Sequence, residues 1–126
     1  MKECIVSDKA PPAVGPYSHA VKCGQLVYTS GQIAIDPVSG IMVEKEISAQ
    51  TGQCLRNVES VLQAAGCSLA DVIKATIFLT NMTDFEIVNK IYASFFKGDF
   101  PARSVVEVSS LPKGALIEIE AIAHKA

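Results

Sequence analysis

The sequence predicts an α+β fold in the order ββαβαββ, a sheet with two helices on one of its faces. Three observations predict it. Two segments repeat apolar residues at helical spacing, several β-branched runs are long enough only for strands, and Gly, Pro and Asp punctuate the joints between them. Two helices cover one face of such a sheet and leave the other free.

The elements follow in order. Strand signals lie at about Glu3 to Val6 and at Leu26 to Ile35, separated by the Pro/Gly-rich loop Pro11-Pro-Ala-Val-Gly-Pro16. Asp36-Pro-Val-Ser-Gly40 is a turn. Ile47, Cys54, Leu55, Val58, Val61, Leu62 and Ala65 then recur at helical spacing, with Gln50, Gln53, Asn57, Glu59 and Ser60 largely elsewhere, and Gly66 ends the helix. Val72 to Leu79 is a β-branched, mostly apolar strand. Thr83-Asp-Phe-Glu86 has the form of a capping box that opens a second helix, whose face is Phe85, Val88, Ile91, Tyr92, Phe95 and Phe96 and which Gly98 closes.

Two strands carrying charge complete the chain. Alternation puts Arg103, Val105 and Glu107 on one face of the first and Ser104, Val106 and Val108 on the other. In the second, Ile117, Ile119, Ala121 and Ala123 form an apolar row opposite Leu116, Glu118, Glu120 and Ile122. The helix-free face is therefore expected to hold Val72, Lys74, Thr76 and Phe78 with Arg103, Val105, Glu107, Leu116, Glu118, Glu120 and Ile122. A mixture this apolar predicts a homo-oligomer with clefts at its subunit boundaries.

Length and composition bound the function. Residues 1–126 read as one domain with a single core, 49% hydrophobic and 19% charged. No run is apolar and long enough to span a membrane, and the first residues do not read as a signal peptide, so a cytoplasmic protein is expected. Cys4, Cys23, Cys54 and Cys67 are widely spaced, which predicts free and mostly buried thiols and no zinc site. His19 and His124 lack the spacing of helical metal ligands, and His19 reads as a solvent-facing loop residue. The chain is net negative and its eleven Lys and Arg residues are scattered, which disfavours nucleic acid as a partner.

Buried charge is costly unless paired or used. Arg103 by itself suits either an ion pair with Glu107, Glu118 or Glu120 or a clamp on a substrate carboxylate, because its planar fork binds a carboxylate through two parallel hydrogen bonds. Glu118, if it faces the same cavity, is placed to orient or deprotonate a water. The Tyr17 phenol, on a loop held by Gly15 and Pro16, supplies a further donor or acceptor.

Several motifs occur together in one order: Gly15-Pro-Tyr-Ser18, Tyr28-Thr-Ser-Gly-Gln-Ile33, Asn57 with Ala64-Ala-Gly66, Asp71-Val-Ile-Lys74, Phe85 with Asn89, Pro101-Ala-Arg-Ser104, Val106-Glu-Val108, Leu111-Pro112 and Ile117-Glu-Ile-Glu-Ala-Ile-Ala123. Through nearly the whole chain this pattern resembles the Rid (reactive intermediate deaminase) or YjgF family. The resemblance implies a chorismate-mutase-like fold with one mixed sheet, and a homotrimer with a site at each interface. It implies hydrolysis of small reactive 2-imino acids to 2-oxo acids and ammonia, with Arg103 on the carboxylate, Glu118 on the water, and no metal, organic cofactor or covalent intermediate. Tyr17, Ser30, Gly31, Gln32, Phe85 and Asn89 match family positions and are expected at the substrate. Val105 stands where many members have Cys, leaving only its backbone to contact substrate. Some members have been described as endoribonucleases or translation inhibitors. A binding or chaperone-like module using the same pocket without turnover is the remaining alternative.

Overall fold

The computed structural model describes residues 1–125. Its elements are β1 (Lys2–Ile5), β2 (Ala20–Cys23), β3 (Leu26–Thr29), α1 (Ile47–Ala64), β4 (Val72–Leu79), α2 (Phe85–Phe96), β5 (Ala102–Glu107) and β6 (Ile117–His124), with three short 3-10 turns. The six strands form one sheet in the order β1-β2-β3-β6-β4-β5. All neighbours are antiparallel except β4 and β5, whose parallel pairing makes the sheet mixed. The expected α+β architecture is present.

The N-terminal third differs from the expected pattern in two ways. Ala20–Cys23 is a strand the sequence pattern did not reveal, since it is four residues long and follows the Pro-rich loop. It joins β3 through a tight turn in which Gly24 has φ +60°, a conformation glycine adopts without strain. The strand expected at Leu26 to Ile35 stops at Thr29. Beyond it the chain leaves the ladder and touches the sheet again through a single bridge, where Gln32 and Ile119 exchange both backbone hydrogen bonds.

Both helices cover one face. Leu55, Val58, Val61 and Leu62 of α1 and Val88 and Tyr92 of α2 join Ala75, Ile77, Leu79, Ile117, Ile119, Ala121 and Ala123 of the sheet in one buried cluster. The small side chains of Ala121 and Ala123 keep α1 close to β6.

The polar residues of α1 are not all outward as expected. Gln50 and Asn57 are each 1% exposed, and Gln53 is also buried. Asn57 Nδ2 donates to the carbonyls of Ile33 and Ile35, and its Oδ1 accepts from Gln53 Nε2. Gln50 Oε1 accepts from the Leu116 amide at 2.9 Å. These amides satisfy backbone groups that irregular chain would otherwise leave unpaired inside the protein. They fix the loop after β3 and the entry to β6.

The helix caps also depart from the sequence pattern. Glu46 caps α1, its carboxylate accepting from the amides of Ser48 and Ala49, which lowers its pKa. Thr83 and Glu86 do not form the expected box. Asn81 instead accepts from the Thr83 amide and hydroxyl and opens a 3-10 turn that leads into α2. At the other end Lys97, Gly98 and Asp99 have φ of 57°, 95° and 45°. Lys97, not Gly98, is the first left-handed residue. This tight reversal directs Phe100 and Pro101 back toward α2.

The sheet's two faces are divided differently from the expected sets. Pairing in β4 shifts between Val72 and Lys74, so Ile73 is an extra residue that turns Val72 inward, opposite Ala123. In the parallel ladder Arg103 lies beside Ala75, Val105 beside Ile77 and Glu107 beside Leu79. Those three residues therefore occupy the helix-covered face at its edge, not the open face. The open face holds Lys74, Thr76, Phe78, Glu118, Glu120 and Ile122 with Ser104 and Val106.

Candidate active site in two halves

Arg103 sits on an aromatic ledge. Its guanidinium carbon lies 4.9 Å from the ring centre of Tyr92 and 5.6 Å from that of Phe85. These rings come from one stripe of α2, because Phe85, Asn89 and Tyr92 are spaced i, i+4, i+7. Tyr92 is held in turn by stacking on Phe96, with ring centres 4.4 Å apart. Such ring faces attract a guanidinium while leaving its in-plane N–H fork free.

A groove of about 430 Å³ opens beside it, lined by Asn89, Tyr92, Ala93, Phe100, Pro101 and Arg103. The acidic residues once candidates for pairing with Arg103 are directed elsewhere. Glu107 Oε1 accepts from the Met82 amide at 2.7 Å. Glu118 and Glu120 point from the opposite face of the sheet. Val105 has its side chain half-buried against the core, so only its backbone edge is available. Burial raises the pKa of the Tyr92 phenol, with the Arg103 charge acting in the opposite direction, and the phenol stays protonated at neutral pH.

The second half is on the other face. Glu118 is half-buried opposite Phe78, and burial, followed by repulsion from Glu120, raises its carboxyl pKa. Gly31 lies against it. A Cβ added at Gly31 would fall 2.8 Å from the Glu118 carboxyl carbon, so the close approach requires the absence of a side chain there. The loop is fastened on both sides of Gly31. The Ser30 amide donates to the His19 carbonyl and its hydroxyl to the Ser18 carbonyl at 2.6 Å, while Gln32 is bridged to Ile119.

Tyr17 reaches this half through a small crevice that it lines together with Gly31 and Gln32. Its hydroxyl oxygen accepts from the Val14 amide at 3.3 Å, which leaves its own O–H free to donate. The loop bearing Tyr17 is tied down by His19. That ring is 3% exposed, not solvent-facing as expected, with Nδ1 accepting from the Ser7 amide and Nε2 donating to the Pro11 carbonyl. Of the cysteines, Cys54 and Cys67 are buried and Cys4 and Cys23 exposed. Burial raises the pKa of the Cys54 thiol, which suits it to packing and not to nucleophilic work.

The predicted residues thus fall into two groups. Phe85, Asn89, Arg103 and Val105 gather at the sheet edge, and Tyr17, Ser30, Gly31, Gln32 and Glu118 gather on and beside the open face. The sheet separates the groups within one chain. Tyr92, Phe100 and Pro101 were not among the predicted site residues. Tyr92 reads as core from its helical spacing, yet it shares the stripe of Phe85 and Asn89, and that shared stripe was the available signal.

Fold and grooves define a one-sheet α+β protein with a cationic, aromatic-floored groove at the edge of its sheet and a carboxylate on the open face. Residues 7–125 match the family described as Endoribonuclease L-PSP. The chain belongs to this family, which is the Rid or YjgF family. It is 46% identical over 123 residues to the human protein named 2-iminobutanoate/2-iminopropanoate deaminase, a match spanning 98% of this chain and 90% of that one. The structure of YyfA from Yersinia pestis, a Rid family protein of unknown function, superimposes with a TM-score of 0.96 at 51% identity, covering 98% of this chain and 99% of that chain. TdcF from E. coli with bound serine superimposes with a TM-score of 0.94 at 40% identity, with coverage of 98% and 99%.

Proposed function

We propose that the protein hydrolyses small 2-imino acids to 2-oxo acids and ammonia, at sites assembled between copies of the chain in a homotrimer. The observation that carries this reading is the Arg103 guanidinium, set over the rings of Tyr92 and Phe85 on a residue that lines a groove of small-molecule size. A free planar cation on an aromatic ledge is suited to a carboxylate. The human relative's printed name and the serine bound to TdcF support an amino-acid-sized ligand.

Arg103 fixes the carboxylate, and Glu118 of a neighbouring copy supplies the base. The sheet keeps these groups apart in one chain, while the open face bearing Phe78 and Ile122 gives a second copy an apolar surface to pack against. A carboxylate with a raised pKa is a better proton acceptor than an ordinary one. Glu118 takes a proton from water as the water oxygen adds to C2 of the imine and passes that proton to the nitrogen, giving a tetrahedral amino alcohol. Glu118 then takes the proton of the C2 hydroxyl and delivers it to the nitrogen, so that the C–N bond breaks, ammonia leaves and the C2 oxygen becomes a carbonyl. Tyr17, with a free O–H, and Ser30 and Gly31, which shape the wall beside Glu118, border the same half.

An RNA-cleaving role fits less well. His19 is buried with both ring nitrogens engaged with the backbone, which leaves it no free nitrogen for acid–base work with His124. The experiment that tests the reading generates 2-iminobutanoate in solution and follows 2-oxobutanoate and ammonia against the uncatalysed background. Faster release with the protein supports it, and a rate equal to background removes it.

A further inference from the structure

The Tyr92 hydroxyl is a polar group that the fold itself does not use. It is buried and has no hydrogen-bond partner among the described residues, and the same is true of Asn89 Oδ1 almost one helical turn away. Both residues line the groove beside Arg103. For packing alone a phenylalanine would serve, as Phe85, Phe95 and Phe96 do on the same helix. A buried hydroxyl without a partner lowers stability, so its presence calls for a partner that the isolated chain lacks. Its environment also fixes its role. Burial keeps the phenol protonated, and the adjacent guanidinium offers no acceptor, so the group is a hydrogen-bond donor on a residue that lines the same groove as a second donor.

We propose that the Tyr92 hydroxyl is a second recognition group for the ligand carboxylate, donating to an oxygen lone pair that the Arg103 fork leaves free. One aromatic side chain then does two things. Its ring orients the guanidinium, and its hydroxyl binds the anion that the guanidinium attracts. A ligand carboxylate accepts up to about four hydrogen bonds, so a fork and a phenol can be satisfied together. The inference deepens the deaminase reading, which supplies the identity of the ligand.

The test uses 2-oxobutanoate, an unreactive carboxylate, as the calorimetric probe against wild type, Tyr92→Phe and Arg103→Lys, with the mass of each assembly measured by light scattering. Tyr92→Phe keeps the ring and its stacking and removes only the hydroxyl. The expected result is about tenfold weaker binding, the effect of one hydrogen bond to a charged group, with unchanged assembly mass and equal or higher Tm. Binding equal to wild type overturns the proposal. A changed mass also overturns it, since the hydroxyl's partner would then be another copy of the chain. Failure of wild type to bind 2-oxobutanoate overturns it as well. Wild-type binding lost on Tyr92→Phe, but without imine hydrolysis by wild type, leaves this proposal standing and removes the deaminase reading alone.

Discussion

Glu118 and Gly31 form the closest-fitted pair in the candidate site. Because the added Cβ would meet the end of a flexible side chain and not backbone, Gly31→Ala should push the Glu118 carboxylate aside while the fold persists. The expected outcome is a kcat at least about tenfold lower with nearly unchanged Tm, checked by imine-hydrolysis kinetics and thermal melts. Glu118→Gln should lower kcat strongly and leave binding of 2-oxobutanoate nearly intact, whereas Glu120→Gln, at an exposed position, should affect assembly more than turnover. The same substitution has a pH signature. The folded pKa of Glu118 is raised, so its contribution to stability is fully present below the unfolded value and is lost as pH rises through the folded one. At neutral pH the charged Glu118 is therefore a penalty that Gln removes, and Glu118→Gln should melt higher than wild type. The difference should close below about pH 4. Arg103→Lys retains charge but not the fork, and kcat/KM should fall by about ten- to a hundredfold. Unchanged kinetics in that variant would remove the carboxylate clamp.

At the scale of elements, what was legible in the sequence depended on how cleanly one periodicity dominated. β4, β6 and both helices were readable because Ile117, Ile119, Ala121 and Ala123, or Cys54, Leu55, Val58 and Val61, repeat at one spacing and bury one face. β5 was found as a strand, but its facing was not. It is an edge strand with both faces partly exposed, so its composition carries no inside and outside, and only the parallel register with β4 settles that Arg103 faces α2. β2 was too short to stand out. The inward amides of α1 were missed because Gln50, Gln53 and Asn57 look solvated by type, and their burial follows from carbonyls at Ile33 and Ile35 far away in sequence. The residues expected at the substrate were named from motifs, but Tyr92, Phe100 and Pro101 beside Arg103 were not, and the division of the named residues between two faces was not readable, since it depends on that same register. Asn57→Ala should cost about 1–3 kcal/mol by leaving the buried Ile35 carbonyl and the Gln53 side-chain amide without this partner, while the Ile33 carbonyl keeps its hydrogen bond from the Ile35 amide. It should also raise hydrogen exchange in the loop after β3 that holds Ser30 and Gly31. Exchange at wild-type rates would separate Asn57 from the site.

At the scale of the whole molecule, the proposed assembly rests on the open face of the sheet. Half-exposed Phe78 and Ile122 with Tyr28, 46% exposed, form an apolar surface interrupted by Lys74, Glu118 and Glu120. A trimer is expected at low micromolar concentration, and light scattering checks it, a monomeric mass with full activity being the contrary result. Such packing is what would bring one copy's Arg103 to another copy's Glu118. The central claim is that joining, and it is tested most directly by complementation. Arg103→Lys and Glu118→Gln chains, each weakly active alone, are mixed in equal amounts, unfolded together and refolded, and imine hydrolysis is measured. Sites shared between copies predict recovery to about a quarter of wild-type activity, because random assembly pairs an intact Arg103 with an intact Glu118 at about one interface in four. A mixture no more active than the average of its two components would contradict the shared site.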